Sequence, residues 1–473
     1  MSDIFKAYDI RGKYPKEINK ITACLIGQAF VNFIKNKVKT KKLTIVIGRD
    51  LRKSSLILLQ GLIKGISTLR QTNIINIGKV PIDAFYFAAE HFKADGGIMI
   101  TASHNPLTWN GFKMVVKNYG FICQGQGMEE LESRVLASEQ ARCVTDKNQK
   151  SLPQNKLGAG QAKIYIKSVN ILPNYLDHIF KLAKKLNLYP IPRSLKIGLE
   201  FLGGTSSKII KPLTKKLFLK TTYLNSLVDP SDPLLSKNLK NINKIIKKKN
   251  LDFGVSFDGD GDRCVFLDEK GKIIDPSAIL VLFSLFFLEK FPHSKIVYNL
   301  VCSKIVKEAI KKHGGIPIRC PVGHVFIKKI AAKNHAAFGG EHSAHFFWKE
   351  NNYSECPSLA LLLMIQILSK KKQKLSELIK PFKKYYKGAE IDLSSKKFPL
   401  SESFKKLTSY FKRGLPANRR KGIDYLDGLT MEFPDWWFNL RPSRTESVLK
   451  LMIEAENKKM FLEKKKKILK LIN

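Results

Sequence analysis

Thr101-Ala102-Ser103-His104-Asn105-Pro106, followed shortly by Asn110-Gly111-Phe112-Lys113, is the stretch on which the fold turns. Ahead of it, residues 97–100 are uniformly apolar, as in a buried strand; after it, residues 112–116 again have strand character. A strand thus delivers a serine into a short polar loop closed by proline, beside a lysine on the next strand. A serine hydroxyl is a poor nucleophile and a good phosphate carrier, and a neighbouring histidine and lysine can manage protons or anionic charge. An Asn-Pro turn whose serine only caps backbone would contain the same residues, so the loop must be weighed with the rest of the chain.

Three segments repeat one rhythm of apolar strand, small polar loop and amphipathic helix. They begin at residues 43–47, 195–199 and 295–298, and their helices end near Lys64, Lys216 and Lys312. Such alternation predicts mixed α/β domains with active loops at the carboxyl ends of strands. Composition loosens at residues 138–156 and 369–374, and Phe253 opens a new strand after a lysine run. The expected domains are therefore 1–152, 153–252, 253–370 and 371–473, the last a smaller α+β domain with an aromatic cluster at Trp436-Trp437-Phe438.

With 473 residues, 44% of them hydrophobic and 26% charged, the chain has a globular composition and room for several cores. Its start lacks the apolar stretch of a signal peptide. The apolar runs at 279–288 and 359–368 are too short to span a bilayer and are expected as buried helices. Seven scattered cysteines without a Cys-x-x-Cys pair fit reduced thiols in a cytoplasmic protein and form no zinc pattern. The net charge of +43 comes mostly from lysine in short runs such as Lys247-Lys248-Lys249. No arginine stripe with interleaved aromatics accompanies it, so neither a nucleic-acid nor a membrane partner is expected.

Asp258-Gly259-Asp260-Gly261-Asp262-Arg263 follows the apolar strand at 253–257. Three carboxylates at alternate positions, separated by glycines, can converge on one hard cation, most naturally Mg²⁺. A calcium EF-hand is excluded, because its sixth position is Arg263 rather than glycine and residues 265–267 read as strand. Gly340-Glu341-His342-Ser343-Ala344-His345 pairs a carboxylate with a hydroxyl, a combination suited to adjacent sugar hydroxyls. Arg441-Pro442-Ser443-Arg444-Thr445 offers guanidinium and hydroxyl donors on a turn, which suits a phosphate dianion.

Taken in order, from Phe5-Lys6-Ala7-Tyr8-Asp9-Ile10-Arg11-Gly12 to residues 449–455, these motifs resemble the alpha-D-phosphohexomutase superfamily, and within it the bacterial phosphomannomutase branch. The resemblance implies four domains around a central cleft, three alike and a smaller fourth. It implies that Ser103 is a phosphoserine, and that one Mg²⁺ is held by Asp258, Asp260, Asp262 and a phosphate oxygen on Ser103. Mannose 6-phosphate and mannose 1-phosphate would interconvert through a hexose 1,6-bisphosphate, which also acts as activator. That product would feed GDP-mannose supply. Arg11, Lys113 and Arg263 would stabilise the transferring group, Glu341 and Ser343 would bind the sugar, and Arg441, Ser443, Arg444 and Thr445 the other phosphate. His104, Lys113, His324 and His345 are the candidates for proton transfer. A phosphoglucomutase or dual-specificity mutase is the near alternative, and a non-catalytic basic nucleic-acid-binding protein the distant one. Three departures from the family pattern stand out: Arg444, Val301 in place of a basic residue, and a Leu202-Gly203-Gly204-Thr205 loop without the usual asparagine.

Overall fold

A computed structural model describes residues 2–38, 40, 42–69, 72–148, 165–191, 195–394, 397–412, 422–444 and 448–472. The chain forms two compact units, one of residues 1–264 with 357–362, the other of 265–356 with 363–473.

The first unit contains two α/β sheets. In the larger, strands run in the order Ile10–Lys13, Trp109–Val116, Gly96–Ile100, Leu43–Arg49, Thr72–Lys79, Tyr165–Ser168. The last four are parallel, and Trp109–Val116 is antiparallel to both its neighbours, Ile10–Lys13 and Gly96–Ile100. From Leu43–Arg49 the chain moves to Thr72–Lys79 on one side, then returns to Gly96–Ile100 on the other. Two loops therefore leave neighbouring strand ends in opposite directions, the arrangement that opens a binding crevice at the carboxyl edge of such sheets. The loops are residues 50–54 and 101–108.

Helix Lys20–Lys37 starts where Asn19 Oδ1 accepts the amides of Ile21 and Thr22, at 2.9 and 3.1 Å. Its apolar face buries Ile26, Phe30 and Phe33 with Ile45 and Ile98 of the sheet. Helix Ser55–Ile66 packs against it closely enough that a Cβ on Gly65 would lie 1.9 Å from the carbonyl oxygen of Cys24.

The second sheet aligns Phe253–Phe257, Lys196–Glu200 and Lys220–Leu224, all parallel. This corrects the expectation that Phe253 opens the third domain. The strand hydrogen-bonds to Lys196–Glu200, so the aspartate-rich loop terminates a strand of the second sheet. The loosened composition at 138–156 is also not a break throughout, since helix Met128–Asn148 runs into it; the 152/153 boundary lies outside the described residues.

In the second unit, Ile316–Cys320, Lys295–Asn299 and Phe338–Gly340 are parallel, followed by the antiparallel Phe346–Trp348 and Ser354–Glu355. A second, antiparallel sheet is ordered Tyr386–Lys387, Val448–Ala455, Trp436–Pro442, Leu429–Glu432, Ile423–Asp424. Helices Leu400–Phe411 and Lys458–Ile472 cover it through Leu407, Phe461 and Ile468, giving the small α+β element expected. The apolar runs form the buried helices Pro276–Lys290 and Pro357–Lys371. Among the described residues, no helix is long and apolar enough to cross a membrane.

The helix pair gives a prediction that opposes intrinsic propensity. Alanine is favoured over glycine inside a helix by about 1 kcal/mol, but a Cβ only 1.9 Å from a backbone oxygen must push the helices apart. Gly65→Ala is expected to lower stability by about 2 kcal/mol, within the overpacking range. Chemical denaturation measures it, and a variant as stable as the parent would refute the close approach.

Candidate active site

Ser103 is buried at the carboxyl end of Gly96–Ile100 with left-handed backbone, φ +53°. That conformation costs an L-residue other than glycine about 1–2 kcal/mol, so its surroundings must enforce it. Thr101 Oγ1 accepts the Ser103 amide at 2.8 Å. Arg52, from the adjacent loop, donates to the carbonyls of Ser103 (2.8 Å), Asn105 (2.7 Å), Pro106 (2.6 Å) and Trp109 (3.1 Å). Its own Nε is held by Asp50 Oδ2 at 3.0 Å, and Asp50 Oδ1 accepts the Arg52 amide and Ser55 hydroxyl. Neither Asp50 nor Arg52 was among the expected site residues; an Asp-x-Arg directly after a strand that flanks the serine strand was the available signal.

The serine hydroxyl lies 3.2 Å from His104 Nδ1 and 3.4 Å from Asp258 Oδ2. Asp258 uses its other oxygen to accept the amides of Gly261, Asp262 and Arg263 at 3.0–3.2 Å, which curls the loop around it. Gly261 has φ +81°, and a Cβ on Gly259 would lie 2.8 Å from the Ser103 carbonyl oxygen, so glycine is required at both positions. The loop is clamped from two sides. The Asp260 carbonyl accepts the Ile82 amide at 2.9 Å, and the Gly259 carbonyl accepts the Thr205 amide at 3.0 Å. The 202–205 loop therefore has a structural task here.

Oxygens of Asp258, Asp260 and Asp262 all lie within 4.8 Å of one another, and all three residues are buried. Asp260 Oδ1 is buried without a hydrogen-bond partner. Three carboxylates and an unspent oxygen are a donor set that fits a hard divalent cation. Lys113 Nζ donates to Asp260 Oδ2 at 2.8 Å and Asp262 Oδ2 at 2.9 Å. Burial opposes its charge, but the two aspartates outweigh burial and hold the ammonium well above its ordinary pKa. Arg11 bonds Asp9 at 2.7 Å and donates to the side chain of Asn105; again burial is outweighed, here by Asp9, Asp260 and Asp262. Arg263 lies 3.8 Å from both Asp232 and Asp258, which likewise raise its pKa against burial.

In the second unit, Glu341 to His345 form the turn between Phe338–Gly340 and Phe346–Trp348, with the Glu341 amide donating to the His345 carbonyl. Ala344 takes φ +66°, where glycine would be unstrained. Glu341 is a hub: Oε1 accepts Asn299 Nδ2 and the Gly323 amide, each at 3.1 Å. Its Oε2 faces His345 Nδ1 at 3.1 Å and Ser343 Oγ at 3.4 Å. Burial works against ionisation, but His345, Gly323 and Asn299 outweigh it and hold the carboxyl below its ordinary range. His324, beside Gly323, begins helix His324–Lys333.

Arg441 is buried and bonded to Glu390 (2.6 Å) and Asn439 (3.2 Å). Arg444 is more open; it pairs with Asp427 at 2.8 Å and stacks on Phe326. Asp427 also accepts the Val322 amide. The Ser443 amide donates to the Val448 carbonyl, and Thr445 lies outside the described residues. Val301 faces Leu300, Trp437 and Met452 in an apolar cluster. Asn299, Asp427 and Glu390 were not anticipated; each acts on a site residue far along the chain.

Family models described as phosphoglucomutase/phosphomannomutase alpha/beta/alpha domains I, II and III match residues 2–142, 173–271 and 275–385. A phosphomannomutase of Methanocaldococcus jannaschii is 33% identical over 99% of this chain and 97% of its own. One from Escherichia coli K12 is 30% identical over 97% and 96%. The crystal structure of a phosphoglucomutase/phosphomannomutase family protein from Burkholderia thailandensis superposes with a TM-score of 0.81 at 25% identity, covering 98% of this chain and 95% of that one. With three domain matches in order and relatives aligned almost end to end, the chain belongs to the phosphoglucomutase/phosphomannomutase family of alpha-D-phosphohexomutases.

Proposed function

We propose that this chain is a phosphomannomutase, interconverting mannose 6-phosphate and mannose 1-phosphate with Ser103 as the phosphoryl carrier. The observation that carries the reading is a buried serine held in a strained conformation with its hydroxyl aimed at a cluster of three aspartates. Relatives named phosphomannomutase, about 30% identical over nearly the whole chain, support the choice of sugar.

In the proposed cycle the phosphoryl group passes from Ser103 oxygen to a sugar hydroxyl, whose proton leaves, giving a hexose 1,6-bisphosphate. The bisphosphate turns end over end and returns its other phosphoryl group to Ser103. Phosphoryl transfer demands in-line positioning and charge stabilisation more than covalent help. The main-chain grip of Arg52 supplies the positioning, and Arg11, Lys113 and Arg263 supply fixed positive charge. A Mg²⁺ held by Asp258, Asp260 and Asp262 would supply charge neutralisation at the phosphoserine. Lys113 is an ammonium between two carboxylates, which suits charge stabilisation better than proton abstraction. His104, beside Ser103 Oγ, is placed to hold the serine proton when the phosphoryl group returns. Glu341, Ser343 and His345 would bind sugar hydroxyls, and Arg444 with Ser443, Thr445 and Arg441 the non-reacting phosphate. Arg441 must exchange Glu390 for that phosphate, whereas Arg444 keeps a more open guanidinium.

Ser103→Ala should lower turnover of mannose 1-phosphate by about 10⁴-fold or more while leaving the fold intact. Retained activity would remove the carrier role, and assay of glucose 1-phosphate alongside separates a mannose enzyme from a dual-specificity one.

Asp260→Asn should raise the Mg²⁺ concentration needed for half-maximal activity about tenfold or more. An unchanged metal titration would remove Asp260 from the ligand set.

Glu341 carries a pH signature. Because its folded pKa is lowered, the stabilisation is complete above the ordinary glutamate value of about 4.3 and is lost as pH falls through the folded value. Glu341→Gln should cost about 1–3 kcal/mol at pH 7, and that difference should shrink toward pH 3. A difference constant across this range would show that the charge of Glu341 does not hold the loop.

A further inference from the structure

The first unit holds an open pocket of about 460 Å³ that the proposed reaction does not use. It sits where three parallel strands end together. Arg49, Lys79 and Ser168 all line it, and they are the final residues of Leu43–Arg49, Thr72–Lys79 and Tyr165–Ser168. Lys208 enters from the first turn of helix Ser207–Lys216. The strand pairing is irregular just here: Ile47 pairs with Asn76 but Gly48 with Gly78, leaving Ile77 as the extra residue. Such bulges widen a strand end and re-aim its side chains.

The lining is built for an anion. Among the described residues, no carboxylate lines the cavity, while three cations do. Asn76 Oδ1 accepts the Gly78 amide at 3.0 Å and Asn170 Oδ1 accepts the Leu172 amide at 3.3 Å. The oxygens of both lining asparagines are thereby occupied, which leaves their NH₂ groups as donors. Arg49 Nε is buried with no hydrogen-bond partner. Burial lowers the proton affinity of its guanidinium, with Asp50 opposing only in part. That is the expected outcome when the Asp50 oxygens are already given to Arg52 and Ser55. Lys208 stands at the positive end of a helix, where a cation is unfavourable unless an anion is near.

We propose that this cavity is a binding site for a small phosphate-bearing anion, separate from the Ser103 site. The class follows from the lining: clustered guanidinium and ammonium donors without a competing acid suit a phosphate dianion, and the volume admits a small organic group attached to it. Two sources share this chemistry, free orthophosphate and a phosphorylated sugar.

Equilibrium dialysis of the full chain at low ionic strength, with labelled orthophosphate and separately with labelled mannose 6-phosphate, tests the site. The comparison protein is Lys79→Gln/Lys208→Gln, whose two substituted side chains are exposed and lie outside the reaction machinery. Wild-type protein should bind more of at least one ligand than one site can hold, and the double variant should weaken the additional binding about tenfold or more. Mannose 1-phosphate turnover should not change. An additional equivalent seen with orthophosphate assigns the cavity to free phosphate; one seen only with the sugar phosphate assigns it to that class. Matching isotherms for the two proteins with both ligands would overturn the proposal.

Discussion

The carrier role proposed for Ser103 depends on one guanidinium. Arg52 gathers four main-chain carbonyls of the 103–109 loop into a single fork, and without it the left-handed serine would be held by Thr101 alone. The ion pair behind it is not there for stability alone. Burial pushes the Asp50 carboxyl above its ordinary range even with Arg52 and Ser55 beside it, the sign of a pair expensive to desolvate. What the pair provides is direction: of five planar donors, Nε is oriented by Asp50 and the other four are turned toward the loop carbonyls.

The same logic of backbone grip recurs at the aspartate loop. Asp258 spends one oxygen on three amides and keeps the other toward Ser103, while Ile82 and Thr205 hold the carbonyls of Asp260 and Gly259. Serine and carboxylates are thus positioned by grips on their backbone, from the side chains of Arg52, Thr101 and Asp258 and from the amides of Ile82 and Thr205. In the second unit Glu341 plays the organising part, tying the ends of Lys295–Asn299 and Ile316–Cys320 to its own turn through Asn299 and Gly323.

What could be read from the sequence was whatever is contiguous in it. Ser103 and the three aspartates lie in short strings whose chemistry is local, and the strand–loop–helix rhythm located the three α/β segments. The assignment of Phe253 to the third domain failed because periodicity reveals that a strand exists, not which strand it will join. Arg52 went unread because its acceptors lie 51 to 57 residues away and are carbonyls, which carry no residue identity. Glu341 read as an open acceptor; Asn299 and Gly323, 42 and 18 residues distant, occupy one of its oxygens. Arg444, an oddity as a letter, becomes intelligible beside Asp427 and Phe326.

Charge sets the remaining constraint on Ser103 as the proposed carrier. Around it, Asp9, Asp232, Asp258, Asp260 and Asp262 face only Arg11, Lys113 and Arg263 in the interactions that raise those three cations. A phosphoserine brings nearly two further negative charges, and burial magnifies every repulsion among them. The fixed cations cannot absorb that load, because each is already engaged by aspartate. The acidic excess that makes the triad a good seat for a divalent cation is thus the same excess that would expel an uncompensated phosphoryl group. On the proposed reading, metal affinity and phosphoryl-transfer potential would be two consequences of one arrangement of aspartates.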